Sequence, residues 1–133
     1  MPTSDFDIVS LGVRFMGRDP LRTELLKGAM AYLVLAVLRE GEQYGYQVAQ
    51  HIRERSDGAF APSEGSLYPT LHRLEADGAL TAAWRASDKG PRRRWYRITE
   101  AGLGALAGHE AEWDAFTGAV SRVAAPRPEP SRA

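Results

Sequence analysis

Residues 62–78 read Pro62-Ser63-Glu64-Gly65-Ser66-Leu67-Tyr68-Pro69-Thr70-Leu71-His72-Arg73-Leu74-Glu75-Ala76-Asp77-Gly78. Ser63 is a strong helix N-cap, and Glu64 complements the positive end of a helix. Gly78 is a stop signal. Leu67, Leu71 and Leu74, helped by Tyr68, recur at the spacing of one buried helical face. Ser63, Ser66, Thr70, Arg73 and Asp77, spaced 3, 4, 3 and 4, form a polar face on the other side. Pro69 conflicts with an unbroken helix, because it removes one backbone hydrogen bond and crowds the preceding turn. Two readings stay open: a helix from Ser63 that kinks at Pro69, or a helix that begins near Ser66 with Pro69 in its first turn.

Working outward, Gly45 to Arg55 reads as a helix with a stripe of Val48, Ala49 and Ile52, closed by the turn formers Ser56, Asp57 and Gly58. Before it, Glu24 to Arg39 carries Leu26, Met30, Leu33, Val34, Val37 and Leu38 at helical spacing. Gly41 follows that helix. It is apolar on more than one side, as a helix packed against two surfaces must be. Residues 1–22 form an arm of uncertain structure, broken by Gly12, Gly17 and Pro20. On the other side, Leu80 to Ala86 and Arg93 to Ile98 flank Ser87-Asp88-Lys89-Gly90-Pro91 and predict a β-hairpin. Thr99 and Glu100 open a last helix. Its apolar positions Leu106, His109, Trp113, Phe116, Val120 and Val123 are spaced 3, 4, 3, 4 and 3, a heptad-like seam. Pro126, Pro128 and Pro130 end it, and residues 125–133 read as a disordered tail.

The fold class that follows is mainly α with a small β-hairpin: a winged helix-turn-helix over 23–99 and a C-terminal dimerisation helix over 100–124. A length of 133 residues suits one compact domain with an extra helix. There is no cysteine, which excludes a disulfide framework and fits a reducing cytoplasm. The longest apolar run, Met30 to Leu38, has nine residues, against about 20 for a membrane span. No signal peptide is legible, because charges interrupt the apolar residues of the arm. A soluble, cytoplasmic chain is therefore expected, with no membrane partner. His51, His72 and His109 lack ligand spacing, so no metal and no cofactor are expected. No nucleophile with a base, glycine-rich phosphate loop or carboxylate pair stands out, so the chain does not read as an enzyme.

The net charge is zero, and any basic surface must come from segregation. Between Arg85 and Arg97 there are six basic residues and one acid, whereas Glu100 to Phe116 holds four acids and no Lys or Arg. Guanidinium forks match phosphate oxygens and stay charged, so Lys89, Arg92, Arg93 and Arg94 suit a DNA backbone. The bland alternative is a strand edge protected from aggregation by charge. Ser63, Ser66, Tyr68, Thr70 and Arg73 on the third helix are the candidates to meet phosphates and base edges in a major groove. Glu64 complements the helix dipole or reaches a cytosine amino group.

Trp113 and Phe116, with Leu106, His109 and Val120, need burial that sequence neighbours do not supply. The simplest partner is the same helix of a second chain. These aromatics then serve as dimer core alone, or also line a pocket for flat small molecules. A winged-helix adaptor that binds an acidic protein, without sequence-specific DNA binding, is the alternative function.

Several stretches together are specific. Leu26-Lys27-Gly28, Tyr44-Gly45-Tyr46, the 62–78 segment, Pro91-Arg92-Arg93-Arg94-Trp95-Tyr96-Arg97-Ile98-Thr99, Ala101-Gly102 and Glu112-Trp113 with Phe116 resemble the PadR-like transcriptional regulators over about residues 25 to 123. The resemblance implies a homodimeric regulator, usually a repressor, on a palindromic DNA operator, released by a small aromatic effector. It also favours the kinked helix from Ser63, because that family places a proline there. The single terminal helix resembles the family's shorter branch. The arm of residues 1–22 is longer than in short members.

Overall fold

The computed structural model describes residues 20–128, with side chains from Leu25 onward. The expected arm and tail therefore lie largely outside the described residues. The arm's last part is helical: α1 spans Pro20–Leu38 and so begins earlier than Glu24. Proline at a first helical position is favourable, since its missing N–H would have no helical partner there.

A short strand β1 (Gln43–Tyr44) leads into α2 (Gly45–Arg55), followed by α3 (Glu64–Ala76), β2 (Leu80–Arg85), β3 (Arg93–Ile98) and α4 (Glu100–Ala124). Strand β3 lies between β1 and β2 in one antiparallel sheet. The expected hairpin is present, with Leu80 opposite Ile98 and Arg85 opposite Arg93. Strand β1 is an addition, pairing Gln43 with Tyr96 and Tyr44 with Trp95. Two residues are too few to show a period, so the sequence carried no sign of it. Gln43 anchors this strand from inside. Its Nε2 donates to the Val37 carbonyl at 2.9 Å, and its Oε1 lies 2.7 Å from His51 Nδ1. The amide nitrogen faces a carbonyl, so Oε1 is the acceptor and His51 Nδ1 carries the proton.

Helix α1 crosses the centre, touching α2, α3, α4 and β3. Val34, Leu35 and Leu38 meet Val48, Leu67, Leu71, Leu80, Tyr96 and Leu106 in one buried cluster. Several neighbours explain why the helix is apolar on more than one side. Helices α2 and α3 end in the same way. Asp57 has φ +52°, with its N–H donating to the Glu54 carbonyl and that of Gly58 to Arg53. Gly78 has φ +82°, with its N–H donating to the Glu75 carbonyl and that of Ala79 to Leu74. Both are left-handed caps that satisfy the last carbonyls of a helix.

The start of α4 is tied to the end of α3. Thr99 accepts from the Gly102 N–H at 3.0 Å and donates to the Gly78 carbonyl at 2.6 Å. Its own N–H donates to the Ala79 carbonyl at 3.0 Å. The helix then runs 25 residues to Ala124. No described helix is long and apolar enough to cross a membrane.

Candidate nucleic-acid interface

Ser63 is the N-cap of α3, its Oγ accepting from the Ser66 N–H at 3.3 Å. The helix continues from Glu64 through Pro69 to Ala76. Of the two starts open from sequence, the structure has the one at Ser63. Pro69 and Gly65, the residue whose carbonyl it leaves without a helical donor, are both exposed.

The polar face is rotated from the one expected. Gly65, Pro69, His72, Arg73 and Ala76 are exposed, whereas Thr70 is 6% exposed. Thr70 is thus corrected from a surface residue to a buried one. At 3.6 residues per turn it lies roughly 40° from Leu74, at the margin of the leucine stripe. Its hydroxyl donates back to the Ser66 carbonyl at 3.4 Å, which satisfies it without solvent. Ser63 and Arg73 are exposed, and Ser66 is half-buried. Tyr68 is half-buried between α2 and α3, its hydroxyl close against Gly45; a Cβ there would sit 2.9 Å from it. His72 leans on the Tyr68 ring at 6.3 Å.

Across a cleft from α3 stands the hairpin. Tyr46, Tyr68, His72, Trp84, Arg92 and Arg94 are among the residues that line the cleft. Tyr46 and Trp84 are 61% and 55% exposed. Sequence reasoning named none of Tyr46, Trp84 and His72 as a site residue: Tyr46 and His72 lie on helices but off their buried stripes, and Trp84 lies in a six-residue strand. The six basic residues of the hairpin fall into two groups. Arg85 and Arg97 face Glu42 at 2.7 and 3.7 Å, and Arg94 faces Glu75 at 2.7 Å. Lys89, Arg92 and Arg93 are exposed and make no ion pair among the described residues. Arg93 lies over the Tyr44 ring, 4.4 Å from its centroid. Arg94 is therefore set apart from the other three cations with which it was grouped. Beneath it, Tyr96 is fully buried with no hydrogen-bond partner for its hydroxyl. Burial pushes that hydroxyl above its ordinary pKa, opposed in part by the nearby Arg94 charge.

The seam on α4 also divides. Leu106 is 2% exposed and belongs to the domain core, so it is corrected from the open seam to the interior. It is the first seam position, close enough to the helix start for α1 to cover it. His109 is half-buried and stacks on Tyr32 at 6.1 Å. Trp113 follows at 6.4 Å from Tyr32, and Phe116 at 6.1 Å from Trp113. Trp113, Phe116 and Val120 are 44%, 61% and 48% exposed, and Val123 is open as well. No group of three or more His, Cys, Asp or Glu side chains able to hold a metal occurs among the described residues.

Comparison with known proteins agrees with this architecture. Residues 34–108 match the model of the transcriptional regulator PadR-like family. The chain is 42% identical over 83 residues to the transcriptional regulator Rv3488 of Mycobacterium tuberculosis, covering 62% of this chain and 74% of that protein. It is 27% identical over 75 residues to the negative transcriptional regulator PadR of Bacillus subtilis, covering 55% of this chain and 40% of that one. Among solved structures, a PadR family transcriptional regulator from Eggerthella lenta superposes with a TM-score of 0.71 at 29% identity, covering 94% of this chain and 99% of that one. A transcriptional regulator from Clostridium thermocellum gives the same TM-score at 27% identity, over 77% of this chain and 99% of the other. With its family model matched across α2, α3 and the β2–β3 hairpin, which is the wing of this fold, the chain belongs to the PadR-like family of transcriptional regulators.

Proposed function

We propose that this regulator binds duplex DNA sequence-specifically as a homodimer, with α3 in the major groove and the wing on the backbone. The observation that supports this best is the juxtaposition across one cleft. Glu64, Tyr68 and His72 of α3 line one side of the cleft and Trp84 and Arg92 of the hairpin line the other, while Ser63 and Arg73 are exposed elsewhere on α3 and Lys89, Arg92 and Arg93 pair with no acid among the described residues. Short hydroxyls and forked cations at a helix start reach phosphates and base edges, while wing cations hold phosphates of any sequence. Residues 23–99 are the DNA-reading unit in this account, and 100–124 the dimerisation helix.

The dimer reading rests on the open stripe of Trp113, Phe116, Val120 and Val123. An apolar stripe of this kind on a long terminal helix is covered by a second copy, and a two-fold pair of recognition helices then meets a palindromic operator. Repression is supported by the likeness to the Bacillus subtilis protein, whose name describes it as a negative regulator. The cluster of Tyr32, His109, Trp113 and Phe116 supports an aromatic effector that releases DNA by favouring a dimer with mismatched recognition helices. The site of action is the cytoplasm, on chromosomal DNA. Anisotropy of a labelled duplex, titrated at several salt concentrations with wild type and a Lys89→Ala/Arg92→Ala variant, tests the wing. The log–log salt slope falls by roughly 0.9 for each phosphate that the variant no longer neutralises. An unchanged slope favours the adaptor reading.

A further inference from the structure

Arg92, Arg93 and Arg94 are consecutive but do three different things. The pleat sends neighbouring side chains to opposite faces of a strand. Arg93 goes to the outer face, over Tyr44. Arg94 goes to the face that meets α3, where its Nη2 donates to Glu75 Oε2 at 2.7 Å. Its guanidinium lies over the Trp84 ring, 5.5 Å from the centroid. Its Nε is buried, and the two paired side chains are only 28% and 30% exposed. Arg92 stays exposed and unpaired among the described residues.

Glu75 stands in the last turn of α3, where a negative charge opposes the helix dipole. Helix energetics alone disfavours it there. The ion pair with Arg94 offsets that disadvantage and joins the end of α3 to the wing. A free wing arginine attracts the phosphates of every sequence equally.

We infer that Glu75 and Arg94 are a positioning pair that fixes the wing against α3 and withholds Arg94 from phosphate, so that operator DNA is favoured over arbitrary DNA. This inference rests on the DNA-binding reading above. It gives the pair two effects on selectivity. The spacing between helix and wing sets the register on the duplex, and the masked charge keeps sequence-independent attraction low.

The test is anisotropy with a short duplex of random sequence over a series of salt concentrations, using full-length wild type, Arg92→Gln, Arg94→Gln and Glu75→Gln. Arg92→Gln lowers the salt slope by roughly 0.9, the share of one phosphate left unneutralised. Arg94→Gln leaves the slope unchanged. Glu75→Gln, which keeps the shape of the side chain, raises the slope and tightens binding to the random duplex. A purely structural residue would not tighten it. A fall in slope for Arg94→Gln equal to that for Arg92→Gln overturns the inference, and so does a Glu75→Gln protein with unchanged slope and affinity. Should Arg94→Gln fail to fold, the Glu75→Gln result decides alone. A wild-type protein that binds no duplex at all removes the DNA reading itself, a failure distinct from the other two.

Discussion

A Cβ on Gly102 would collide with the carbonyl oxygen of Ala79 and lie 2.6 Å from Ile98 Cγ1. Helix α4 is thus seated on the α3–β2 junction by direct backbone approach, and the direction in which it leaves the domain depends on this close packing. Gly102→Ala is expected to destabilise by about 1–3 kcal/mol through overpacking, read as a lowered Tm. The same substitution should weaken DNA binding beyond the loss of folded protein, because it changes the direction in which α4 leaves the domain. A wild-type Tm would contradict the seating.

Leu106 and Phe116 lie on one helix but serve different surfaces. Leu106 is in the core, so Leu106→Ala should cost about 2–5 kcal/mol of stability. Phe116 is 61% exposed, so Phe116→Asp should leave the helical content intact and shift the protein from dimer to monomer in light scattering. A dimeric Phe116→Asp protein would argue that α4 is covered in some other way.

The two left-handed caps respond oppositely to substitution. Gly78 has φ +82° and open space where a Cβ would go, so Gly78→Ala carries only the conformational penalty of about 1–2 kcal/mol. Asp57 already bears that penalty at φ +52°, so Asp57→Gly should stabilise by up to about 1 kcal/mol. Denaturant midpoints compare the pair directly.

Alkaline pH should act through Tyr96. Its folded pKa is raised above the ordinary value of 10.0 by burial. Below that value both states keep the proton and nothing is lost. As pH rises past it, the unfolded chain ionises first, and stability falls. Tyr96→Phe removes that component and, because the hydroxyl has no partner, should be neutral or stabilising by about 1 kcal/mol at neutral pH. Urea unfolding of both proteins at neutral pH and above pH 10 separates these outcomes.

The long elements were legible because their signals repeat. The leucines of α3, the apolar faces of α1 and the caps Ser63 and Thr99 each announce a helix locally. The two strands of the hairpin are six residues each, and turn formers separate them. What escaped depends on packing between distant residues. Strand β1 exists only because β3 offers an edge to Gln43 and Tyr44. Thr70 is polar, and polarity placed it on the surface, yet its angular position beside the leucine stripe buries it. Leu106 continues the heptad spacing of the seam, but spacing does not reveal that α1 already covers it. Arg94 looks identical to Arg92 in sequence; only the fold brings Glu75, nineteen positions away, to it.

The most direct test of DNA recognition is selection from a pool of random duplex DNA at near-physiological salt, with sequencing of the retained fraction. A two-fold symmetric motif is predicted, its half-sites separated by about one or a few helical turns, as a dimer with two α3 helices demands. No retention, or retention without any motif, would contradict sequence-specific regulation by this surface.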